Sequence, residues 1–288
     1  MPEGDTILRT ARTLHRALAG HVVTRFESVY PHLTRIDRDA PLRGRVIERV
    51  EARGKHVLIW FSEGTGRLKA APTLVLRTHM RMHGSWHIYR PGERWQRPRH
   101  EMRIVIETAA IHAIAFGVPD AEIATADDLE RSPVLGRLGP DVLADDFDAA
   151  EAVRRIAARP EMSIADALLD QSAIAGIGNV YKSEVLFAAG VHPLTAVSAL
   201  SAARIADVVA IAVKMMRANV DERAIASRNT TGRMDPDARV WVYGRGGAPC
   251  RRCGTTIARA MHGVMPRVTY WCDRCQPLSR ERIDPALT

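Results

Sequence analysis

The sequence predicts an α+β protein in four consecutive parts. Residues 1–120 form a helix and a β-sandwich, 121–150 an acidic linker, 151–235 a helical bundle, and 236–288 a small cysteine-bearing ribbon. Three observations predict it. An amphipathic stretch opens the chain, short β segments punctuated by Gly and Pro follow, and helical periodicity then gives way to a CxxC…CxxC pattern near the end.

Residues 2–18 read as a helix, because Ile7, Ala11, Leu14 and Leu18 share one face while Arg9, Arg12 and Arg16 lie elsewhere, and Pro2 suits its first turn. The β segments are Val22–Phe26, Arg45–Ala52, His56–Phe61, Thr73–Thr78, Ser85–Tyr89, Met102–Glu107 and Ile111–Phe116, spaced as in a sandwich or barrel. Helices follow over Ala149–Ala158, Ser163–Asp170, Asn179–Ala189 and Ser201–Asn219, with Ser163 and Asp166 forming an N-terminal cap.

At 288 residues the chain can fold as two lobes, and its 46% apolar and 26% charged residues exclude disorder. A net charge of +8 with pI ≈ 9.8 points to an anionic partner, nucleic acid or an anionic surface. Arginine carries nearly all of it, with only four lysines present. From Asp120 to Glu151 ten acids face two arginines, which fits either a chain presenting one basic face to a polyanion or a plain solvated connector. No apolar run reaches the roughly 18–20 residues of a membrane span. The opening Met-Pro-Glu-Gly-Asp has no secretory character.

All four cysteines fall in one short stretch, as Cys250-x2-Cys253 and Cys272-x2-Cys275, with eighteen residues between the pairs. Thiolates at that spacing close a tetrahedral Zn²⁺ site by facing two knuckles across a hairpin, in a reducing compartment. Four sulfur ligands leave no open position, so one structural zinc is expected. Between the knuckles, Arg267 lies in the alternating stretch Arg267–Trp271. It serves there either as a phosphate clamp or as solvated surface.

Four separated segments resemble the formamidopyrimidine-DNA glycosylase/endonuclease VIII family. They are Pro2-Glu3-Gly4, Arg53-Gly54-Lys55, the run from Gly176-Ile177-Gly178-Asn179-Val180-Tyr181 to Gly190-Val191-His192-Pro193, and Val242-Tyr243-Gly244-Arg245 leading into the cysteines. Leu138-Gly139-Pro140-Asp141 is similar to the same family's linker. The resemblance runs over nearly the whole chain in order. It implies a β-sandwich lobe, a helix-two-turns-helix lobe and a zinc finger, acting on damaged DNA as a bifunctional glycosylase and AP lyase. It also implies a monomer in the bacterial cytoplasm, associated with the nucleoid, with no membrane partner and no small-molecule cofactor.

By this resemblance Pro2, exposed when Met1 is removed, is the Schiff-base nucleophile. Its secondary amine has a pKa near ~7.7–8.0 and a usable neutral fraction. A helix-starting proline is the plain alternative. Glu3 matches the general acid, although a helix N-terminus favours the carboxylate and Glu3 also suits the dipole alone. Lys55 matches the hairpin lysine that contacts the backbone and donates a proton in elimination, and Arg267 the zinc-finger arginine with the same two duties. Asn179 matches the phosphate-binding asparagine at a helix start, where it also suits capping. Lys182, one turn on, is either a further phosphate contact or solvated surface. In His79-Met80-Arg81-Met82-His83-Gly84, Met82 aligns with the wedge that fills the void left by an extruded base, flanked by Arg81 and His83; the alternative is a core methionine.

Two departures bear on substrate. Thr6 stands where many relatives have Glu, and Ala113-Ile114-Ala115-Phe116-Gly117 stands where the oxoguanine branch has an arginine-bearing loop. The second favours the endonuclease VIII branch, hence oxidised pyrimidines and β,δ-elimination. An 8-oxoguanine/formamidopyrimidine glycosylase, and a non-catalytic zinc-ribbon DNA-binding protein, are the alternatives; only an enzyme explains Pro2-Glu3 together with Lys55.

Overall fold

In unit one, an amphipathic helix lies on a two-sheet sandwich. Helix α1 (Gly4–Leu18) buries Ile7, Ala11, Leu14 and Leu18 and packs on strands β2 (Val46–Arg53) and β3 (His56–Ser62). Its His15 imidazole accepts a hydrogen bond from the Val50 amide, 3.1 Å. Between them come β1 (Arg25–Ser28) and α2 (Pro31–Asp39), followed after β3 by β4 (Leu74–His79), β5 (Ser85–Tyr89), β6 (Met102–Glu107), β7 (His112–Phe116) and β8 (Asp120–Thr125). One antiparallel sheet has the order β1-β6-β7-β5 and the other β2-β3-β4-β8. Leu33, Ile47, Ile59, Phe61, Leu76, Ile104, Ile106 and Ile123 join the inner face of α1 in one core. The computed structural model describes residues 2–62, 72–221, 227–263 and 266–278; Met1 and residues 279–288 of the ribbon lie outside them.

The chain divides into two units, Met1–Arg137 and Leu138–Thr288. This departs from the expected sandwich end at 120 and linker over 121–150. Residues 120–125 are strand β8, α3 (Ala126–Glu130) and α4 (Pro133–Gly136) stay with the first unit, and 138–150 belong to the second. The acids that suggested a linker have local work. Asp120 and Glu122 face the buried Arg77 across the β4–β8 ladder, and Asp148 caps the next helix through the Glu151 amide, 2.9 Å. Helix α2 also escaped the sequence reading, because Leu33 is its one buried residue.

The second unit holds α5 (Ala149–Ala157), α6 (Ile164–Leu169), α7 (Asn179–Ala189), α8 (Ala202–Ala218), β9 (Ala258–His262) and β10 (Arg267–Trp271). The Ser163 hydroxyl caps α6 by accepting from the Asp166 amide, 3.1 Å. Helix α7 is buried on nearly every side, against Ile156, Ile164, Leu168, Ile205 and Val209 of the bundle. Before it the chain must turn sharply. Gly176, at φ +98°, supplies a conformation that side-chain-bearing residues rarely adopt. The ribbon shares its small core with α7, since Phe187 packs with Val242, Cys250, Ile257 and Cys272. Among the described residues no helix is long and apolar enough to cross a membrane.

Candidate functional site

The head of the chain differs from the expectation in one useful respect. Helix α1 starts at Gly4 with Glu3 as its N-cap residue, so Pro2 precedes the helix and is not its first-turn proline. Glu3 has extended backbone (φ −124°, ψ −177°), is wholly buried, and makes no side-chain capping bond. Its carboxyl makes no side-chain bond to the first helical amides, while its place at the N-cap keeps it beside the positive end of the helix dipole, the plain role that the sequence left open. Asp5 is a second wholly buried carboxylate, which the sequence reading missed. Arg9 lies 3.7 Å from it and the Thr6 hydroxyl 3.3 Å. Thr6 is thus a partner of Asp5 and not a replacement carboxylate.

Lys55 sits half-buried in the turn of the β2–β3 hairpin, where Arg53 pairs with His56. The next strand brings a charged cluster beside it. Arg77, buried on β4, lies 3.3 Å from His56 Nδ1, 3.0 Å from Glu122 and 3.1 Å from Asp120. His56 and His79 meet edge to face at 4.8 Å. Burial first, then His79 and Arg77, lowers the His56 pKa to about 3. Burial, with the Arg81 and Lys55 cations outweighing Asp120, lowers His79 to about 4. Both imidazoles are neutral at physiological pH, and His79 Nδ1 accepts from the Arg81 amide at 3.2 Å. A cationic residue in the apolar strand Leu74–His79 was the available signal for a counter-charge on a neighbouring strand.

The turn after β4 presents Arg81, Met82 and His83, all exposed; Met82 is 47% exposed, so it is no core residue, whereas Met80 is buried. Arg81 is the one described non-glycine residue at positive φ, +50°. Gly84 closes the turn at a close approach, since a Cβ there would stand 2.5 Å from the Met80 carbonyl oxygen. The stretch Ala113–Phe116, aligned above with a loop, is the buried centre of β7. It is strand and not loop, and the connection from it to β8, residues 117–119, carries no arginine either.

In the second unit Asn179, Lys182 and Arg267 come together, though not as expected. Asn179 is the first residue of α7 after the N-cap Gly178, and its Nδ2 donates to the Val268 carbonyl on β10, 2.9 Å. Lys182 is only 1% exposed, so it is neither a surface phosphate contact nor solvated. Its Nζ donates to Asn179 Oδ1 at 2.6 Å and to Thr269 Oγ1 at 2.7 Å. Lys182 thereby ties the start of α7 to the strand whose first residue, Arg267, is exposed. Lys182→Ala is expected to cost about 2–4 kcal/mol of folding stability, from a cavity and a lost buried donor, read by urea denaturation. A surface phosphate contact would leave stability unchanged and flatten only the salt dependence of DNA binding.

Glu184, wholly buried on the same helix, went unnoticed in the sequence. Its carboxylate accepts from the amides of Trp241, Val242 and Tyr243 at 2.7–2.9 Å, and from the Thr230 hydroxyl. It fixes the segment that runs into the first cysteine knuckle.

The four cysteine sulfurs lie within 4.8 Å of one another. Cys253–Cys272 and Cys253–Cys275 are 3.5 Å apart and Cys250–Cys275 3.9 Å, close to the roughly 3.8 Å edge of a tetrahedron of sulfurs around zinc. Hydrogen bonding to Thr255 lowers the Cys253 thiol to about 6, while burial among the other sulfurs pushes Cys275 up to about 12. Four sulfurs this close need a dication to exist as thiolates, so the donor set fits one structural Zn²⁺. Cys272 is seated by Gln276, whose Oε1 accepts from its amide at 3.1 Å.

Comparison with known proteins gives a consistent result. Residues 1–119 match the family model described as formamidopyrimidine-DNA glycosylase N-terminal domain, 138–231 its H2TH domain, and 247–278 a zinc finger found in FPG and IleRS. The chain is 40% identical to "Probable endonuclease 8 2" of Streptomyces coelicolor, covering 96% of this chain and 94% of the relative. It is 38% identical to "DNA-(apurinic or apyrimidinic site) lyase Nei2" of Mycolicibacterium smegmatis, covering 97% and 100%. Among solved structures, Lactococcus lactis Fpg in complex with DNA containing an abasic site superposes with TM-score 0.78 at 22% identity, over 96% of this chain and 100% of that one. At that identity the likeness is one of fold.

Proposed function

The chain belongs to the formamidopyrimidine-DNA glycosylase and endonuclease 8 family and is a DNA glycosylase and AP lyase of base excision repair; we propose that Pro2 is its nucleophile and oxidised pyrimidines its favoured lesions. The observation that carries this reading is the head of the chain, where Pro2 stands outside α1 beside the wholly buried N-cap residue Glu3, whose carboxyl makes no side-chain capping bond. Once Met1 is removed, the proline nitrogen attacks C1′ of the damaged nucleotide. The bond from C1′ to the base breaks, and Glu3 donates a proton that opens the sugar ring. The resulting iminium withdraws electrons from C2′, which loses a proton as the 3′ phosphate leaves; a second elimination expels the 5′ phosphate. Lys55, on the hairpin turn, donates a proton in elimination and contacts the backbone. Arg267 and the helix-start amides at Asn179 hold phosphates. The zinc supplies the rigid hairpin that presents Arg267 and takes no part in bond making. The enzyme works as a monomer on damaged DNA in the bacterial cytoplasm, at the nucleoid, with the proline in place of a small-molecule cofactor.

Substrate preference follows from what fills the duplex after extrusion. The exposed Arg81–His83 turn supplies the wedge, and neither strand residues Ala113–Phe116 nor the connection after them, residues 117–119, supplies a guanidinium to read an orphaned cytosine. Oxidised pyrimidines also stack and pair poorly, so they cost less to extrude. In single-turnover excision from one duplex context, 5-hydroxyuracil and thymine glycol should be removed faster than 8-oxoguanine opposite cytosine. Fastest excision of 8-oxoguanine, with a strong partner-base preference, would place the enzyme in the other branch. Met82→Ala should slow duplex excision about tenfold or more, while cleavage of single-stranded abasic DNA falls far less.

A further inference from the structure

The wedge turn is shaped before any DNA arrives, and three attachments shape it. At its start the Arg81 amide donates to His79 Nδ1, 3.2 Å, and the Arg81 guanidinium reaches Asp120 at 3.5 Å. At its end the Gly84 amide donates to the Met80 carbonyl, 2.9 Å. The third comes from a distant segment. Arg97, on the long connection between β5 and β6, donates through Nη1 to the His83 carbonyl at 3.1 Å and to the Ser85 hydroxyl at 2.8 Å. Its Nη2 pairs with Glu101, and its guanidinium carbon lies 5.8 Å from the centre of the Phe116 ring.

Arg97 is set apart from its neighbours. Arg90, Arg94 and Arg99 of the same connection are exposed, whereas Arg97 is half-buried with its donors committed to the turn and to Glu101. It also lies over Gly117, where a Cβ would stand 3.5 Å from Nη2. Strand β7 carries no guanidinium of its own, and Arg97 brings one to its end from another part of the chain.

We propose that Arg97 is a positioning residue for base extrusion, holding the His83 carbonyl so that Met82 stays presented outward. A turn ordered in advance does not lose its freedom when it enters the stack, so binding energy goes into unstacking the lesion. The inference rests on the reading of Arg81–His83 as the wedge. It assigns Arg97 no contact with substrate.

The experiment compares single-turnover excision of 5-hydroxyuracil from a duplex with cleavage of a single-stranded abasic oligonucleotide, for wild type, Arg97→Ala, Arg97→Lys and Glu101→Gln. A 2-aminopurine beside the lesion reports unstacking. Arg97→Ala should lower the ratio of duplex excision to single-strand cleavage about tenfold or more and slow the 2-aminopurine rise by the same factor. Arg97→Lys, which retains one donor for the His83 carbonyl, should recover part of the ratio, and Glu101→Gln should lower it by less. An unchanged ratio in Arg97→Ala, or a parallel loss of both activities in all three variants, overturns the proposal. A wild-type protein that cleaves neither substrate would instead overturn the enzyme reading itself.

Discussion

Borohydride added to a mixture of the mature protein and abasic DNA should join the two covalently, and the cross-linked peptide should be the one that begins with Pro2. The expectation follows from nitrogen chemistry. An iminium between the proline nitrogen and C1′ is reducible, and reduction leaves a stable amine. Lysine can form an imine too, and Lys55 lies at a matching motif, so the identity of the peptide decides the matter. Trapping through lysine alone would defeat the assignment. Retaining one extra residue ahead of Pro2 converts its nitrogen to an amide. That change should reduce both base excision and strand cleavage by about a thousandfold or more, because removing a nucleophile removes the whole covalent route. Glu3→Gln should act more selectively, hurting base removal more than cleavage at a preformed abasic site.

Removing one zinc ligand should have the next largest effect. The ribbon's own core is small: beyond two of the cysteines its buried residues are Val242, Ile257 and the borrowed Phe187, with Trp241 and Tyr270 packed partly buried against them. A core of that size does not hold a hairpin without the metal, whose binding contributes about 10–16 kcal/mol in zinc-finger peptides. Cys272→Ser should therefore lose the metal, measured by elemental analysis, and lose most DNA affinity, while the sandwich of residues 2–125 keeps its circular-dichroism signature. Normal affinity in a verified metal-free protein would sink the proposed phosphate role of the hairpin. Arg267→Ala is the companion variant. It should keep its zinc yet bind more weakly, with the salt dependence flattened by about one phosphate contact.

Much of the architecture was legible because it rests on periodicity and spacing. The inward face of α1, most of the sandwich strands and helices α5 to α8 all follow from where apolar residues fall. The cysteine cluster follows from ligand spacing alone. What escaped were elements whose polar residues have partners far away in sequence. Strand β8 looked like a linker because Asp120 and Glu122 are acidic, and their partner Arg77 lies more than forty residues earlier. Lys182 looked like a surface cation because nothing near it in sequence announces Thr269, 87 residues later. Glu184 was hidden for the same reason, its partners being backbone amides 57 to 59 residues on. Composition suggests that a buried charge is exposed unless its partner can be located, and one sequence does not locate it.

Helix α7 is the shaft to which the ribbon is pinned at four heights. Asn179 and Lys182 grip β10, Glu184 holds the loop before the first knuckle, Phe187 enters the ribbon's core, and the Val191 carbonyl just past the helix takes Gln276 Nε2 at 2.8 Å. The metal and the helix are consequently not interchangeable modules. A ribbon grafted from a relative would meet the wrong pins unless residues 179, 182, 184 and 187 travelled with it. Drift at residues 179, 182 and 184 is answerable to ribbon partners 57 to 89 residues away. The ribbon is less a separate finger than the far wall of this helix's own socket.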